Sequence, residues 1–366
     1  MEKYITWRFH FLYLVLGLFL LIGCNKEEQP MVEITPPVLP PPNDSNPSTG
    51  SEEDFRIGFY NVENLFDTED DLGNSQDDEF LPNAPKQWDE ERYQRKLSNI
   101  GLVFQGMEFP AIMGLAEVEN ERVLEDLVNS SLLEEQGYGW VHFDSPDFRG
   151  IDVALLYKES AFTITHARAI EVVLPANVSQ FSTTRDILLV QGNYGVESLN
   201  IFVNHWPSRS GGTEETAGKR EFAASVLQQE IEAILALEPN ANIITLGDFN
   251  DEPTNKSILE VLMAQLEKPT NTDNLLYNCT QPIDAQEIGS HWFQGNWQHL
   301  DQIMVSGQLL DQMGTLKVTD YHIFNEDFVL FDHPDDGPRP DRTYGGDVYF
   351  GGFSDHLAIF VEVEKL

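Results

Sequence analysis

An α/β fold is predicted for residues 54–366, and three observations predict it. Short runs of β-branched and aromatic residues recur, as in Ile243-Ile244-Thr245-Leu246 and Leu199-Asn200-Ile201-Phe202-Val203, and such runs read as buried strands. Between them, apolar residues fall at helical spacing: Leu97, Ile100 and Phe104 in one segment, Ala224, Leu227, Ile231 and Ile234 in another. Nearly every apolar run also ends in polar or charged groups, so the strands are expected to deliver side chains to their ends. The stretch is long for one ordinary domain but within reach of a large layered one, and it contains no second linker or internal repeat.

The chain before residue 54 has a different character. Lys3 and Arg8 precede an apolar run, Phe11 to Ile22, that is short for a membrane-spanning helix. It ends in Leu21-Ile22-Gly23-Cys24, which resembles the lipobox of bacterial lipoproteins. Residues 1–24 are therefore expected to be an export signal and Cys24 the lipidated amino terminus; a signal anchor with an incidental cysteine is the alternative. Asn25-Lys26-Glu27-Glu28 is similar to the acidic export signal of surface-exposed lipoproteins. The expected location is extracytoplasmic, at the outer membrane, with the outer face favoured. Residues 25–53 are proline-rich and polar, cannot bury a core, and read as a tether. With Cys24 lipidated, Cys279 is the one thiol left, so an intrachain disulfide is excluded.

Charge restricts the partners. Lys plus Arg number 22 against 61 Asp plus Glu, a net charge of −39, and no basic stripe of the kind that releases counterions from nucleic acid is visible. Much of the acidity solubilises the surface, but some falls at strand ends.

Taken in order, Phe55 to Asn61 alternates as a first strand and runs into Asn61-Val62-Glu63, with Asn61 and Glu63 on one face. Arg92 to Phe104 reads as a packing helix without chemistry. Ala111 to Ala116 is a strand ending in Glu117, a carboxylate that is costly after a buried run unless a cation compensates it; a surface glutamate is the plain alternative. Asp152 opens a further strand. Arg185 opens the strand Ile187 to Val190, where it can hold a phosphate or pair with a carboxylate. The run ending in Asn204 leads into His205-Trp206-Pro207-Ser208-Arg209, and a helix follows from Thr216 to about Leu237, with Lys219 and Arg220 in its first turn.

Gly247-Asp248-Phe249-Asn250 follows the apolar run from Ile243. In extended backbone Asp248 and Asn250 share a face, where a carboxylate can take a proton from water and an amide can donate to a charged oxygen; a simple Asx turn is the alternative. Asp301 stands at the start of a strand, a loop carries Arg339, Arg342, Tyr344, Gly345 and Gly346, and Ser354-Asp355-His356 precedes the last strand. An imidazole oriented by an aspartate is suited to stay cationic beside a phosphate.

Asn61-Val62-Glu63, Glu117, Arg185, Asn204-His205, Gly247-Asp248-Phe249-Asn250, Asp301 and Ser354-Asp355-His356 together resemble, in order, the endonuclease/exonuclease/phosphatase superfamily of metal-dependent phosphoesterases. The resemblance implies a four-layered α/β sandwich, with two mixed β-sheets packed face to face and helices outside. It implies Glu117 as main metal ligand, with Asn61, Glu63 and Asp355 completing or supporting the metal site. It further implies Asp248 and Asn250 as the water-activating pair, His356 with Asp301 and His205 as catalytic, and Arg185, Asn204, Arg209 and Arg342 as phosphate contacts. Many relatives place Gln before the metal-binding glutamate, where this chain has Ala116.

Independently, five carboxylates at one rim would repel and take up protons without a cation. Oxygen donors and no cysteine cluster point to Mg²⁺, with Mn²⁺ next. The expected activity is phosphodiester hydrolysis, nucleic acid being the favoured substrate. A phospholipid headgroup or sugar or inositol phosphate is the alternative, and a non-catalytic binding lipoprotein is third. A positive groove near Arg185, Arg209, Lys219, Arg220 and Arg342 would favour the nuclease; an aromatic pocket at Trp206 or Tyr344 would favour the small headgroup.

Overall fold

Strands form where the apolar runs predict them, and their ends converge on one rim. The computed structural model describes residues 54–70, 78–268, 275–280, 288–310 and 314–366. The export signal, Cys24 and the tether lie outside the described residues. Among the described residues no helix is long and apolar enough to cross a membrane.

In chain order the elements are β1 (Phe55–Leu65), α1 (Glu90–Gly106), β2 (Ile112–Val118), α2 (Glu121–Val128), β3 (Tyr138–His142) and β4 (Asp152–Lys158). There follow β5 (Phe162–Ile170), β6 (Ile187–Tyr194), β7 (Glu197–His205), α3 (Thr213–Leu237), β8 (Asn242–Asp248) and β9 (Leu276–Asn278). The rest are β10 (His291–Phe293), β11 (Asn296–Gln298), β12 (Asp301–Ser306), β13 (Leu316–Ile323), β14 (Leu330–His333), β15 (Gly337–Pro340), β16 (Tyr344–Gly345), β17 (Val348–Tyr349) and β18 (Ile359–Lys365). One mixed sheet has the order β13-β18-β1-β2-β4-β3 and the other β5-β6-β7-β8-β12-β9.

The two sheets bury a shared core that includes Ile57, Phe59, Leu155, Val203, Leu246, Ile303 and Val361. Gly114 lets them approach: a Cβ there would meet Leu246 Cδ1 at 2.3 Å. A second core, with Phe202, Ile243 and Met304 from the sheet and Ala224, Leu227 and Ile231 from α3, seals the outer face of the second sheet. Helix α1 covers the first sheet and starts at Asp89, whose side chain accepts from Arg92 N at 3.0 Å. The four-layered sandwich is therefore present. Strands β3, β5 and β13 were not legible as elements; β5, for example, buries only its terminal Phe162 and Ile170, so it lacks a clean apolar alternation.

Two irregularities aim the functional side chains. The β1 and β2 ladder shifts register between Asn61 and Leu65, and the β2 and β4 ladder between Ala116 and Val118. At these bulges Glu63, Asn64 and Glu117 take φ of 50°, 61° and 65°, and Asn250 beyond β8 takes 51°. Left-handed backbone at bulky residues is strained and concentrates where geometry matters. Gly247 has φ 156° and no room for a side chain, since a Cβ would meet Asn204 O at 2.2 Å.

Candidate active site

Register places three functional groups abreast. In the second sheet His205 on β7 stands opposite Asp248 on β8, and Asp248 opposite Asp301 on β12. Asp248 is 2% exposed. Its Oδ2 accepts from Asn61 Nδ2 at 3.1 Å, across the sandwich from β1, and its Oδ1 accepts from Asn250 N at 2.9 Å. The Asx turn is therefore present, and the Asn250 side-chain amide donates within the fold, to Trp206 O at 3.0 Å. His205 Nε2 lies 3.6 Å and His356 Nε2 3.8 Å from Asp248 Oδ2, and His205 Nε2 lies 3.9 Å from Glu117 Oε1. Residues hundreds of positions apart therefore meet in one place.

The two imidazoles differ in their surroundings. Burial opposes a charge on His356, but Asp301, whose Oδ2 is 2.7 Å from Nδ1, together with Asp248 and Asp355, outweighs it and lifts the imidazole well above its ordinary range. His205 is driven well below that range by burial and by Arg185 and Arg149 nearby, and its Nδ1 has no partner. The Asp248 carboxyl is pushed up to about 7, chiefly by burial and further by Asp301, against the opposing charge of His356.

On the first sheet, Glu117 accepts from Asn64 N at 3.1 Å and from Arg149 Nη2 at 3.0 Å. Glu63 accepts from Thr343 N at 2.6 Å and Tyr344 N at 3.2 Å, which puts both its oxygens on backbone amides, in the supporting position rather than as an open ligand. Burial and the nearby Asp355 raise its carboxyl to about 7. Asp355 pairs with Arg342 Nη2 at 3.1 Å.

These groups fit a hard divalent cation. Glu117, Asp355, Asp248 and the Asn61 and Asn250 amides offer oxygen donors, Asp301 Oδ1 is buried without a partner, and burial holds Asp248 and Glu63 near 7 beside further carboxylates. That is the charge concentration a cation relieves.

Four expectations for phosphate contacts meet different fates. Arg342, 45% exposed, faces the rim. Arg185 does not: it is buried and donates to His205 O, Trp206 O and Asp147 Oδ2 at 3.2, 2.6 and 3.1 Å. Asn204 is fully buried, donating to Thr245 Oγ1 at 2.8 Å and accepting from Trp206 Nε1 at 3.1 Å. Arg209 donates to Asn250 O at 2.7 Å and so braces the Asn250 turn. Of the two cations opening α3, Arg220 is fully buried with Nε 2.8 Å from Asp251 Oδ1. Trp206 and Tyr344 are core residues, 1% and 6% exposed, and line no open pocket. Apart from Arg342, each donor is consumed internally because burial demands a partner.

Sequence reasoning missed Lys96, Arg149 and Asp147 of this site, and His291 beside it. The reading of α1 as packing alone is corrected: Lys96, 1% exposed, donates to Thr343 Oγ1 and Phe353 O, both at 2.6 Å. Burial lowers its pKa to about 8 against the pull of Glu63, Asp355 and Glu117. A lysine on the same stripe as Tyr93, Leu97 and Ile100 was the available signal. His291 lies against His356, ring centroids 4.6 Å apart.

Residues 56–365 match the Endonuclease/Exonuclease/phosphatase family. No curated protein matches the chain significantly. Similar solved structures include the human Nocturnin catalytic domain with bound sulfate anion, at TM-score 0.51 and 17% identity over 86% of this chain and 95% of that one. Truncated TDP2 of Caenorhabditis elegans aligns at TM-score 0.52 and 15% identity over 85% and 98%. The mannosyl-6-phosphatase of Bacteroides thetaiotaomicron aligns at 0.51 and 16% over 84% and 99%. At these identities the likeness establishes the fold.

Proposed function

This chain belongs to the Endonuclease/Exonuclease/phosphatase family, whose members hydrolyse phosphoester bonds, and from that premise we propose that it is a Mg²⁺-dependent phosphoesterase acting on one phosphate of a compact alcohol. The observation that carries the reading is the bracketing of buried Asp248 by Asn61, His205 and His356 within 3.8 Å.

Glu117, Asp355 and Asn61 would hold Mg²⁺, with Mn²⁺ as substitute; when bound, it would polarise a phosphoryl oxygen and offset leaving-group charge. Asp248 takes the proton of the attacking water, its carboxylate fixed by the Asn61 amide and the Asn250 N–H. His356 donates through Nε2 to a phosphoryl oxygen as charge develops, and Asp301 holds the opposite ring nitrogen. His205, kept neutral, can donate or accept without adding charge beside Glu117.

The arginines support a compact substrate. Arg185, Arg209 and Arg220 are turned inward, which leaves Arg149 and Arg342, 36% and 45% exposed, flanking the acids. Two cations match one phosphate better than a run of phosphates, and the net charge of −39 repels a polyanion. The reading also takes the enzyme to be extracytoplasmic, anchored in the outer membrane through Cys24.

The test is a substrate panel with the full chain in detergent: bis(p-nitrophenyl) phosphate, sugar and inositol phosphates, sphingomyelin, DNA and RNA, each with Mg²⁺ and with chelator. Compact esters should be cleaved with the higher kcat/KM, and chelator should stop turnover. DNA or RNA as the best substrate would return the nuclease reading. Activity that survives Asp248→Ala would overturn the role of Asp248 as the base.

A further inference from the structure

We propose that His291, Asp355 and His356 form an inhibitory site for a borderline divalent cation of the Zn²⁺ type, separate in ligand chemistry from the oxygen-rich Mg²⁺ site. One donor atom from each of the three lies within 4.8 Å of the others. Two imidazoles and a carboxylate form a ligand set that zinc takes readily, with a fourth position open.

The outer contacts are those a zinc site needs. A metal-binding imidazole usually gives its other ring nitrogen to an oxygen, which fixes ring orientation. Here His356 Nδ1 is 2.7 Å from Asp301 Oδ2 and His291 Nδ1 is 3.2 Å from Gln298 Oε1. Both rings are therefore held by Nδ1, and Nε2 is left as the coordinating atom of each. The backbones are also fixed to one another: His291 and His356 form an antiparallel bridge, and Leu357 N donates to Ser290 O at 2.7 Å.

Donors of a tetrahedral zinc site stand about 3.4 Å apart for bonds of about 2.1 Å. The donors, within 4.8 Å of one another, need to close by no more than about 1.4 Å to reach that spacing, which the partly exposed Asp355, at 27%, and the half-buried His291 permit. Asp301 and Asp355 favour a cation at the position, and Arg342, Lys96 and Arg149, which also act on Asp355, oppose it. Occupation would remove the His356 imidazole and the Asp355 carboxylate from hydrolysis, so binding and turnover exclude each other.

The experiment titrates the metal-free full chain, with no Mg²⁺ present, with Zn²⁺ by calorimetry and with Co²⁺ by its visible absorption. One His291-dependent equivalent should bind, with the intense Co²⁺ bands of a four-coordinate site. His291→Ala and His291→Gln should weaken binding at least about 30-fold and abolish those bands, and Gln298→Ala should weaken it about tenfold. With Mg²⁺ alone the His291 variants should hydrolyse bis(p-nitrophenyl) phosphate within about twofold of the parent, yet resist Zn²⁺. Unchanged Zn²⁺ affinity in both His291 variants would overturn the site. The binding arm does not rest on the proposed hydrolysis: an inactive protein with a His291-dependent Co²⁺ spectrum would refute the enzyme and keep the site.

Discussion

On each side of Asp248 stands a histidine with an aspartate and an arginine, and the two sets behave oppositely. On one side His356 is braced by Asp301, while Asp355 and Arg342 pair at 3.1 Å at the open rim. On the other, His205 is covered, and the Arg185 and Asp147 pair is locked inside with side chains 5% and 2% exposed. Identical residue types thus make a working surface in one place and a scaffold in the other. The difference is what faces each ring: Asp301, reaching across from the second sheet, charges His356, whereas burial and the guanidiniums of Arg185 and Arg149 keep His205 neutral.

The largest expected break in this comparison is at His356. His356→Ala should lower kcat about 10³-fold, roughly 4 kcal/mol of transition-state stabilisation. Asp301→Asn should follow it, because the retained amide cannot hold the imidazole cationic. Steady-state kinetics beside a denaturant titration checks both. Equal losses from His205→Gln would erase the distinction between the two sides.

Arg185→Met should show the opposite signature. Asp147 would be left buried without its partner, and breaking such a pair costs about 3 kcal/mol or more, read as a lower urea midpoint at unchanged slope. Arg342→Ala, at the exposed rim, should raise KM about tenfold, leave kcat within about threefold and leave stability unchanged. A stability loss at Arg342 larger than at Arg185 would reverse the assignment of scaffold and surface.

This contrast also marks how far the sequence could be read. Asp248, Asp301, His205 and His356 were legible because each ends or begins an apolar run, and the register of a sheet brings run ends together. For Arg185 the alternative reading, a carboxylate partner, is the one found, and which carboxylate was not legible, since Asp147 lies in a loop that carries no pattern of its own. Nor were the bulges at Glu63 and Glu117, where the backbone adopts positive φ at residues with no local preference for it. Lys96 was hidden for another reason: on a helix the neighbours of an apolar stripe are assumed to reach solvent, and this one is capped by Thr343 and Phe353 from the far end of the chain.

The smallest effect expected is in salt dependence, and it sharpens the comparison without a mutation. A groove in which Arg185, Arg209, Lys219, Arg220 and Arg342 all met phosphates would release a counterion at each contact, and five or six contacts weaken binding about 10³-fold between 50 and 200 mM salt. With Arg185, Arg209 and Arg220 turned inward, Arg149 and Arg342 flank the acids and Lys219 is half-buried on α3. Two to three contacts predict a weakening of about 10- to 40-fold over the same range. Oligonucleotide binding measured by fluorescence anisotropy at several salt concentrations reads the slope directly. A steep slope would mean that the inward arginines swing out to meet a polymer, and the buried side of Asp248 would then be a surface after all.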